Sequence, residues 1–431
     1  MAARRRVASV GLGKLLCLAA GLGGIGIGAA GLLSGGHSLS DVRVALYGLL
    51  PIVLGVFFVG LIAAGPSFRT TVLAVALAGG AGILAAETFL ALNPHYIRIS
   101  FAPPAAEATA APAGTTDPGL RFTCPSTLPA GGIPGNDPSE RLLPLGGMRG
   151  APLGAARIAD EHGFNNPEGQ WRLGGIDVLT VGDSFTFGAD VPIGQGFADL
   201  LRDGGRTLVN LGCGGNGPLI ELGTLLEYGP RLRPRHVVWA YYEENDLPKD
   251  LVDELGSPIL TRYLDGKTQN LAERQPEIDR ALRGYLAAAA ADVPPPAVGP
   301  DHRRLLRDIV LLRSLRSAVG LVSGYTPANL ATFAAILRQA KQAADGWGGT
   351  IVFVYLPGPT RYLNPVARLD ADGYKRSVLA AVSGIGIDAI DIDAIFSERD
   401  RPLALFRGHY TPEGYRIVAD EIGRTIGRYV P

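Results

Sequence analysis

The chain has 431 residues, enough for about two to three domains, and its 40 basic and 40 acidic residues give a formal net charge of zero. Overall basicity therefore cannot hold it to nucleic acid, and we expect no nucleic-acid partner. Charged residues make up only 19%, whereas a soluble domain usually has about 25%, so a membrane portion is indicated. The three cysteines form no C-x-x-C pair, which argues against a disulfide-rich scaffold and a cysteine zinc site.

Three apolar stretches near the N-terminus predict transmembrane helices. They cover approximately Gly13–Ser34, Val44–Ala64 and Thr71–Leu92, and about 20 residues at 1.5 Å each cross the ~30 Å hydrocarbon core of a membrane. A cleaved signal peptide is the alternative for the first stretch, but its apolar run is longer than usual and two more stretches follow. We therefore predict that residues 1–92 form a membrane anchor.

The distribution of basic residues predicts the orientation of this anchor. Arg4–Arg6 and Lys14 flank the start of the first stretch, Arg69 lies between the second and third, and Arg43 lies in the loop on the other side. The positive-inside rule then places the N-terminus in the cytoplasm and the chain after about residue 93 outside it. In a Gram-negative bacterium that space is the periplasm. We expect a multi-pass protein of the inner or cell membrane with an extracytoplasmic catalytic domain.

Two features within the apolar stretches have competing interpretations. Gly21–Gly26 matches G-x-G-x-x-G, but no strand precedes it, so close helix packing through Gly24 and Gly28 is favoured over a dinucleotide site. Glu87 is the only carboxylate within a predicted span. An acid there is a functional candidate. Because Glu87 is near the outer end, we favour the simpler interpretation that its side chain reaches the membrane surface.

Beyond the anchor, composition divides the chain into a linker and a domain. Residues 93–170 are rich in Ala, Pro and Gly, which predicts a linker packed partly on the domain after it. In residues 171–431, apolar runs alternate with helical patterns, as is typical of a parallel sheet with helices on both faces. The predicted strands are Ile176–Val181, Thr207–Asn210, His236–Tyr241, Thr350–Leu356 and Ile387–Ile392. Ligands of such sheets bind at the carboxyl ends of the strands.

An insertion at about 248–325 interrupts this alternation. It contains an alanine run, three consecutive prolines and an amphipathic stretch, Arg303–Val322, with an apolar stripe and several arginines. We favour a helical cap that packs over the sheet and shapes the substrate pocket. The alternative is a basic helix that lies on a membrane surface.

Four segments follow predicted strands or precede a helix, where chemistry is expected. Ser184 follows the first strand in Gly-Asp-Ser-Phe-Thr-Phe-Gly and serves either as a nucleophile or as a helix N-cap. The glycine-rich run Asn210–Pro218 brings backbone close to a ligand or forms a flexible turn. Asn245, after the third strand, provides an amide donor or belongs to a solvated loop. His409 precedes the helix start at Thr411–Pro412 and is a base or a structural residue.

Together these segments resemble the SGNH hydrolase superfamily of GDSL-type esterases and acyltransferases, over about residues 171–431. The resemblance implies a three-layer α/β/α, flavodoxin-like domain in which Ser184 is the nucleophile and His409 its base. It also implies an oxyanion hole formed by the backbone N–H groups of Ser184 and Gly215 and the side-chain amide of Asn245. Acyl transfer through a serine ester requires no metal and no organic cofactor.

One departure from this family concerns the acid that orients the histidine. The family usually places an aspartate two or three residues before the histidine, where this chain has Phe406 and Arg407. The candidates for the orienting acid are Asp393 and Asp400, with Asp391 as a third. Otherwise the site works as a Ser–His dyad, or it is impaired.

Two of the cysteines lie beyond the anchor. Cys124 and Cys213 face an oxidising compartment in the predicted orientation, so they either form a disulfide or remain two buried thiols. A disulfide would brace the loop that carries Gly215.

The sequence therefore predicts a membrane-anchored serine hydrolase that acts on ester bonds, with an acylated cell-surface carbohydrate or a small ester as substrate. The first alternative is an O-acyltransferase that modifies a polysaccharide, with a membrane acyltransferase as candidate partner, because only the acceptor differs. The second is a catalytically impaired glycan-binding member, because the usual acid is absent.

Overall fold

A computed structural model describes residues 2–34, 43–93, 124–137, 139–153, 158–291, 302–321 and 327–427. These residues form two compact units. The helical unit comprises the described parts of 1–99, 298–327 and 360–377, and the sheet unit the described parts of 100–297, 328–359 and 378–431. Much of the predicted linker, at 94–123, lies outside the described residues, as do the three consecutive prolines of the insertion.

The helices and strands are numbered in chain order. The helices are α1 Ala2–Ser34, α2 Leu50–Gly60, α3 Pro66–Leu92, α4 Ser184–Phe187, α5 Phe197–Asp203, α6 Pro218–Leu232, α7 Leu251–Glu254, α8 Gln275–Ala291, α9 His302–Val310, α10 Arg313–Ala318, α11 Pro327–Gly346, α12 Pro365–Gly384, α13 Ile392–Ser397 and α14 Pro412–Gly427. The strands are β1 Ile133–Pro134, β2 Arg141–Leu142, β3 Val178–Val181, β4 Leu208–Asn210, β5 His236–Tyr242, β6 Thr350–Leu356, β7 Asp388–Asp391, β8 Phe406–Arg407 and β9 His409–Tyr410.

The helical unit contains three helical segments that are long and apolar enough to cross a membrane. They cover Gly11–Leu33, Val44–Ala63 and Pro66–Leu92, which agrees with the three predicted stretches. A π-helical turn leads into α2 in the second segment. Large apolar side chains on these segments are exposed, such as Leu77 at 77%, and a contiguous apolar surface of this kind marks contact with lipid or another protein.

Glycines bring α1 into close contact with the second apolar segment. A Cβ added to Gly24 would lie 2.8 Å from the carbonyl oxygen of Pro51 and 3.1 Å from Cα of Gly55. A Cβ on Gly28 would lie 2.6 Å from Cγ1 of Ile52. No larger residue fits at these separations without moving a helix, so the predicted packing role of Gly24 and Gly28 is confirmed.

The sheet unit is built on a parallel sheet of five strands in the order β4-β3-β5-β6-β7. All residues of β3 and β5 are buried, which explains why they form continuous apolar runs in the sequence. This is the flavodoxin-like, doubly wound order, and its switch point lies between β3 and β5. Loops that follow these two strands therefore meet at the edge of the sheet where ligands bind.

The segment before β3 belongs to the sheet unit from Cys124 onward, which differs from the predicted linker. Leu142, Leu145 and Phe164 are fully buried. A disulfide joins Cys124 to Cys213 in the loop after β4, so one of the two alternatives for these cysteines is realised. Composition alone predicted a linker here. It could not reveal the packing of this segment, because that packing depends on contacts with residues distant in the sequence.

The predicted insertion is divided between the two units, which corrects the prediction of one cap over the sheet. Residues of the insertion through α8 belong to the sheet unit. Helices α9 and α10 belong to the helical unit, where they pack against α3. This packing covers their apolar stripe only in part, because Leu306 stays exposed.

Glu87 of α3 takes part in this packing. Its side chain is buried, and its two oxygens accept hydrogen bonds of 2.8 Å from the backbone N–H groups of Ser314 and Leu315, in the first turn of α10. The interpretation in which Glu87 reaches the membrane surface is therefore wrong. The carboxylate instead satisfies N–H groups that have no partner within their own helix.

Candidate active site

Ser184 lies in the tight turn from β3 into α4. Asp183 is the N-cap of this helix, because its Oδ1 accepts a hydrogen bond of 2.9 Å from the N–H of Phe185. Ser184 is thus the first helical residue rather than the cap. Its backbone N–H belongs to the first turn, where such groups have no acceptor within the helix.

His409 lies in β9 and contacts this serine. The Nε2 atom of His409 is 2.7 Å from Oγ of Ser184, across a sequence separation of 225 residues. The ring of Phe185 packs edge-on against the imidazole, with centroids 4.7 Å apart. The structure therefore brings the predicted nucleophile and the predicted base within hydrogen-bond distance.

The other imidazole nitrogen contacts a residue that the sequence analysis missed. The Nδ1 atom of His409 is 2.7 Å from Oδ2 of Asp190, in the loop after α4. A carboxylate only accepts hydrogen bonds, so Nδ1 carries the proton and Nε2 accepts from the hydroxyl of Ser184. Asp190 has φ +60°, a left-handed conformation in which aspartate is among the more frequent residues.

Two neighbours explain how Asp190 reaches the histidine. The hydroxyl of Tyr415 in α14 donates a hydrogen bond of 3.2 Å to the carbonyl of Ala189 and so holds the loop. Gly408 has φ +76°, and a Cβ at this position would lie 2.5 Å from Oδ2 of Asp190. A glycine directly before the histidine was therefore an available signal that another group approaches closely there.

The predicted orienting acids have other positions, and that prediction is wrong. Both ring nitrogens of His409 are occupied, by Asp190 and Ser184. Asp393 is buried in α13 and accepts a hydrogen bond from the hydroxyl of Ser397, and Asp400 is exposed after that helix. The third candidate, Asp391, caps α13 through the N–H of Ala394. The search failed because it was confined to acids near the histidine in sequence.

The three residues predicted for the oxyanion hole follow three neighbouring strands: Ser184 comes after β3, Gly215 after β4 and Asn245 after β5. A Cβ on Gly214 would lie 3.9 Å from Cβ of Ser184, and Gly215 follows directly with φ +74°. The amide Nδ2 of Asn245 donates a hydrogen bond of 3.3 Å to Oδ2 of Asp183. These contacts place the glycine loop beside the serine and the Asn245 amide beside the residue that precedes it.

The glycine loop is braced rather than freely flexible. Besides the disulfide at Cys213, the hydroxyl of Ser126 donates to the carbonyl of Gly214 at 2.7 Å. The Asn210 side chain accepts from the N–H of Gly212 at 2.9 Å and donates to the carbonyl of Thr186 at 2.8 Å. Asn210 therefore links the loop to α4, the helix that begins with Ser184.

Several carboxyl groups near Asp183 are buried: Glu221, Asp246, Asp250 and Glu254. Burial raises the pKa of Asp183 to about 6 and that of Glu254 to about 8. Burial and neighbouring acids raise the pKa values of Glu221 and Asp246 well above the usual range. Their low-dielectric surroundings favour the neutral acid. Among the described residues, no group of three or more His, Cys, Asp or Glu side chains is arranged to hold a metal ion.

No family model and no curated protein matches this chain, but solved structures do. A member of the lipolytic protein G-D-S-L family from Veillonella parvula is 14% identical over 58% of this chain and 98% of its own, with a TM-score of 0.32. The psychrotrophic esterase EstA from Pseudoalteromonas sp. is 10% identical over 59% and 98%, with a TM-score of 0.31. An α/β-hydrolase enzyme from the metagenome of Lake Arreo is 16% identical over 61% and 100%, with a TM-score of 0.32. Similarity at this level carries no functional argument, so the site is interpreted from its geometry.

Proposed function

We propose that this protein is a membrane-anchored serine hydrolase of the SGNH type that cleaves acyl esters. The observation that supports this best is the hydrogen-bonded chain from Asp190 through His409 to Ser184, with 2.7 Å at both contacts. A carboxylate, an imidazole and a hydroxyl in this order form the triad used for acyl transfer on several unrelated folds. The dyad and the impaired site were expected because no aspartate lies just before His409. Asp190 supplies that acid in this proposal.

The first half of the reaction would form an ester on Ser184. Asp190 holds the Nδ1 proton of His409, so Nε2 removes the hydroxyl proton as Oγ attacks the acyl carbonyl. The backbone N–H groups of Ser184 and Gly215 and the amide of Asn245 stabilise the negative charge on the carbonyl oxygen. Removal of one such donor costs about 3–4 kcal/mol of barrier. His409 then protonates the departing alcohol.

In the second half, water takes the place of that alcohol. His409 removes a proton from the water, the water oxygen attacks the acyl carbon, and Oγ leaves with the proton returned by Nε2. The acid is released and the triad regains its starting state. If a sugar hydroxyl enters in place of water, the same steps transfer the acyl group.

The location of the sheet unit outside the cytoplasm is part of this proposal. Its support is the basic N-terminus, the three apolar segments and the Cys124–Cys213 disulfide, since disulfides persist mainly in oxidising compartments. An enzyme held at this surface would meet acylated cell-surface carbohydrates or small esters.

The test uses the full-length protein in detergent with an aryl acetate and a fluorophosphonate probe. We expect Ser184→Ala to abolish labelling and to lower hydrolysis by roughly 10⁴-fold or more, whereas Ser139→Ala, at an exposed serine, leaves both unchanged. A folded protein without Ser184-dependent labelling would contradict the proposal. Labelling with slow hydrolysis that an added sugar acceptor accelerates would identify transfer as the reaction.

A further inference from the structure

A pocket of about 170 Å³ lies next to the glycine loop. Gly215 lines it, and the preceding residue, Gly214, is the one that packs against Ser184. One peptide unit therefore separates the nucleophile from the pocket. The opposite wall is formed by residues that follow Cys124, the segment tied to the glycine loop by the disulfide.

The chemistry of the lining favours an apolar occupant. Its floor includes Leu128, Leu143, Ile220 and Leu260, all buried. Three polar side chains of the lining form hydrogen bonds within the protein, and three charged ones, Lys249, Asp250 and Asp253, complete it. Ser126 and Ser257 donate to backbone carbonyls of Gly214 and Ala130, and the carboxylate of Glu254 accepts from two N–H groups at the start of α6. Lys249 and Asp250 form an ion pair with each other, and a hydrocarbon chain on the leucine and isoleucine side chains would displace water from apolar surface.

We propose that this pocket holds the acyl chain of the ester and restricts it to short chains, an inference that rests on the proposed function. A dry apolar cavity of about 150 Å³ accommodates benzene, so the pocket has room for about six carbon atoms. The disulfide-linked segment 124–130 then acts as the wall that sets chain length. Each methylene group of the acyl chain that enters the pocket should multiply kcat/KM by about four.

The test compares aryl esters from acetate to decanoate with the full-length protein. We expect kcat/KM to rise to about four to six carbons and then to fall. Ala130→Phe adds bulk at the exposed rim of the pocket, so it should lower the ratio of butyrate to acetate by roughly tenfold. Leu173→Ala, at an exposed leucine outside the pocket, should leave that ratio unchanged.

Two outcomes would overturn the inference, and they are distinguishable. If Ala130→Phe leaves the chain-length profile unchanged while the probe labels Ser184 normally, the pocket does not hold the acyl chain. If the unchanged protein shows no Ser184-dependent labelling, the proposed function fails and the acyl pocket fails with it.

A different observation concerns α9 and α10 in the helical unit. Glu87 lies five residues before the end of α3, or about 7–8 Å along the helix axis, and it fixes the first turn of α10 at that depth. Leu306 and Val310 share one face of α9 and are 62% and 72% exposed. Residues 302–321 contain five arginines and one aspartate.

We infer that α9 and α10 lie in the interfacial layer of the membrane, with the exposed apolar side chains in lipid and the exposed side chains of Arg303, Arg307 and Arg313 at anionic headgroups. Helices α9 and α10 pack against α3. That helix also has exposed apolar side chains, since Leu84 and Phe89 are about half exposed. Basic amphipathic helices bind such layers through burial of their apolar face and through attraction of their basic side chains to anionic lipids. This inference rests on the membrane location proposed above.

Nitroxide labelling tests the position of α9 in vesicles that contain phosphatidylglycerol. Because Cys124 and Cys213 are paired, replacement of Cys17 by alanine leaves no free thiol, and single cysteines can be introduced. Leu306→Cys and Val310→Cys should be accessible to oxygen and protected from an aqueous nickel complex, and Arg307→Cys, which is exposed on α9, should show the reverse. Equal nickel access at 306 and 307 would overturn the inference. Leu77→Cys on α3 reports separately whether the apolar helices enter the bilayer.

Discussion

Two buried acids of the helical unit differ from two buried acids of the sheet unit in the hydrogen-bond donors around them. In the helical unit, Glu87 accepts two backbone hydrogen bonds. Asp370 of α12 forms a bidentate ion pair with Arg43, with nitrogen–oxygen distances of 2.7–3.0 Å. In the sheet unit, Glu221 accepts no hydrogen bond of normal geometry from the described residues, and one oxygen of Asp246 has no partner among them. Donors therefore surround these two acids of the helical unit, whereas burial and neighbouring acids raise the pKa values of Glu221 and Asp246 and favour their neutral forms.

The acid of the candidate triad is not one of these buried groups. Asp190, the acid that contacts His409, has a side chain that is 54% exposed. Water can therefore reach this side chain, which also accepts the hydrogen bond from His409. The raised pKa values of Glu221 and Asp246 favour neutral acids, which add little negative charge beside a site that must stabilise an oxyanion.

The largest expected effect comes from neutralising the exposed acid. Asp190→Asn keeps the shape of the side chain but removes the acceptor that fixes the Nδ1 proton of His409, so we expect kcat/KM to fall by about 10⁴-fold. Asp400→Asn, at an exposed aspartate that is one of the orienting acids predicted from the sequence, should leave kcat/KM unchanged. Equal losses in the two variants, measured with an aryl acetate, would show that Asp190 does not orient the base.

The next largest effect concerns the ion pair of the helical unit. Arg43→Ala leaves Asp370 as an uncompensated buried charge, so we expect a loss of about 3–5 kcal/mol of stability. The double variant Arg43→Ala/Asp370→Ala should lose less, because no unpaired charge remains. Thermal unfolding in detergent measures both, and Arg368→Ala, at a more exposed pair, should change stability by about 1 kcal/mol or less. A double variant less stable than Arg43→Ala would refute this account.

Glu87→Gln tests the carboxylate that meets α10. Glutamine offers one acceptor oxygen and places an N–H group against a backbone donor, so we expect a loss of about 1.5–3 kcal/mol. Thr88→Ala, which removes only an exposed hydroxyl bonded to its own helix, serves as the control. Identical thermal midpoints for the two variants would mean that the α3–α10 contact contributes nothing to stability.

The smallest effect is a change in pH dependence. The pKa of Glu254 rises from 4.5 to about 8 on folding, and that of Glu221 also rises. Between pH 4.5 and about 8, the folded protein therefore binds more protons than the unfolded chain, and its stability falls as the pH increases. Glu221→Gln should reduce that fall by up to about 1.4 kcal/mol per pH unit. Glu168→Gln, at an exposed glutamate, should leave the slope of the thermal midpoint unchanged, and an unchanged slope in Glu221→Gln would contradict the assignment.

Part of the site could be predicted from the chain because position along a strand or helix is a local property. Ser184 follows a buried strand and His409 precedes a helix start, and parallel strands bring such ends to one edge. Asp190 could not be found in the same way. Its contact with His409 spans 219 residues and depends on the Gly408 backbone and on the hydroxyl of Tyr415, which no local pattern combines.

The sequence by itself determined the three apolar helices and the five parallel strands, because hydropathy and its periodicity are read over a few consecutive residues. Only the tertiary structure decided that Cys124 pairs with Cys213, that Glu87 meets α10, and that the segment before β3 forms the wall of a pocket. Each of these depends on which distant surfaces become neighbours when apolar area is buried. That choice is made by the packing of the whole chain rather than by any one segment of it.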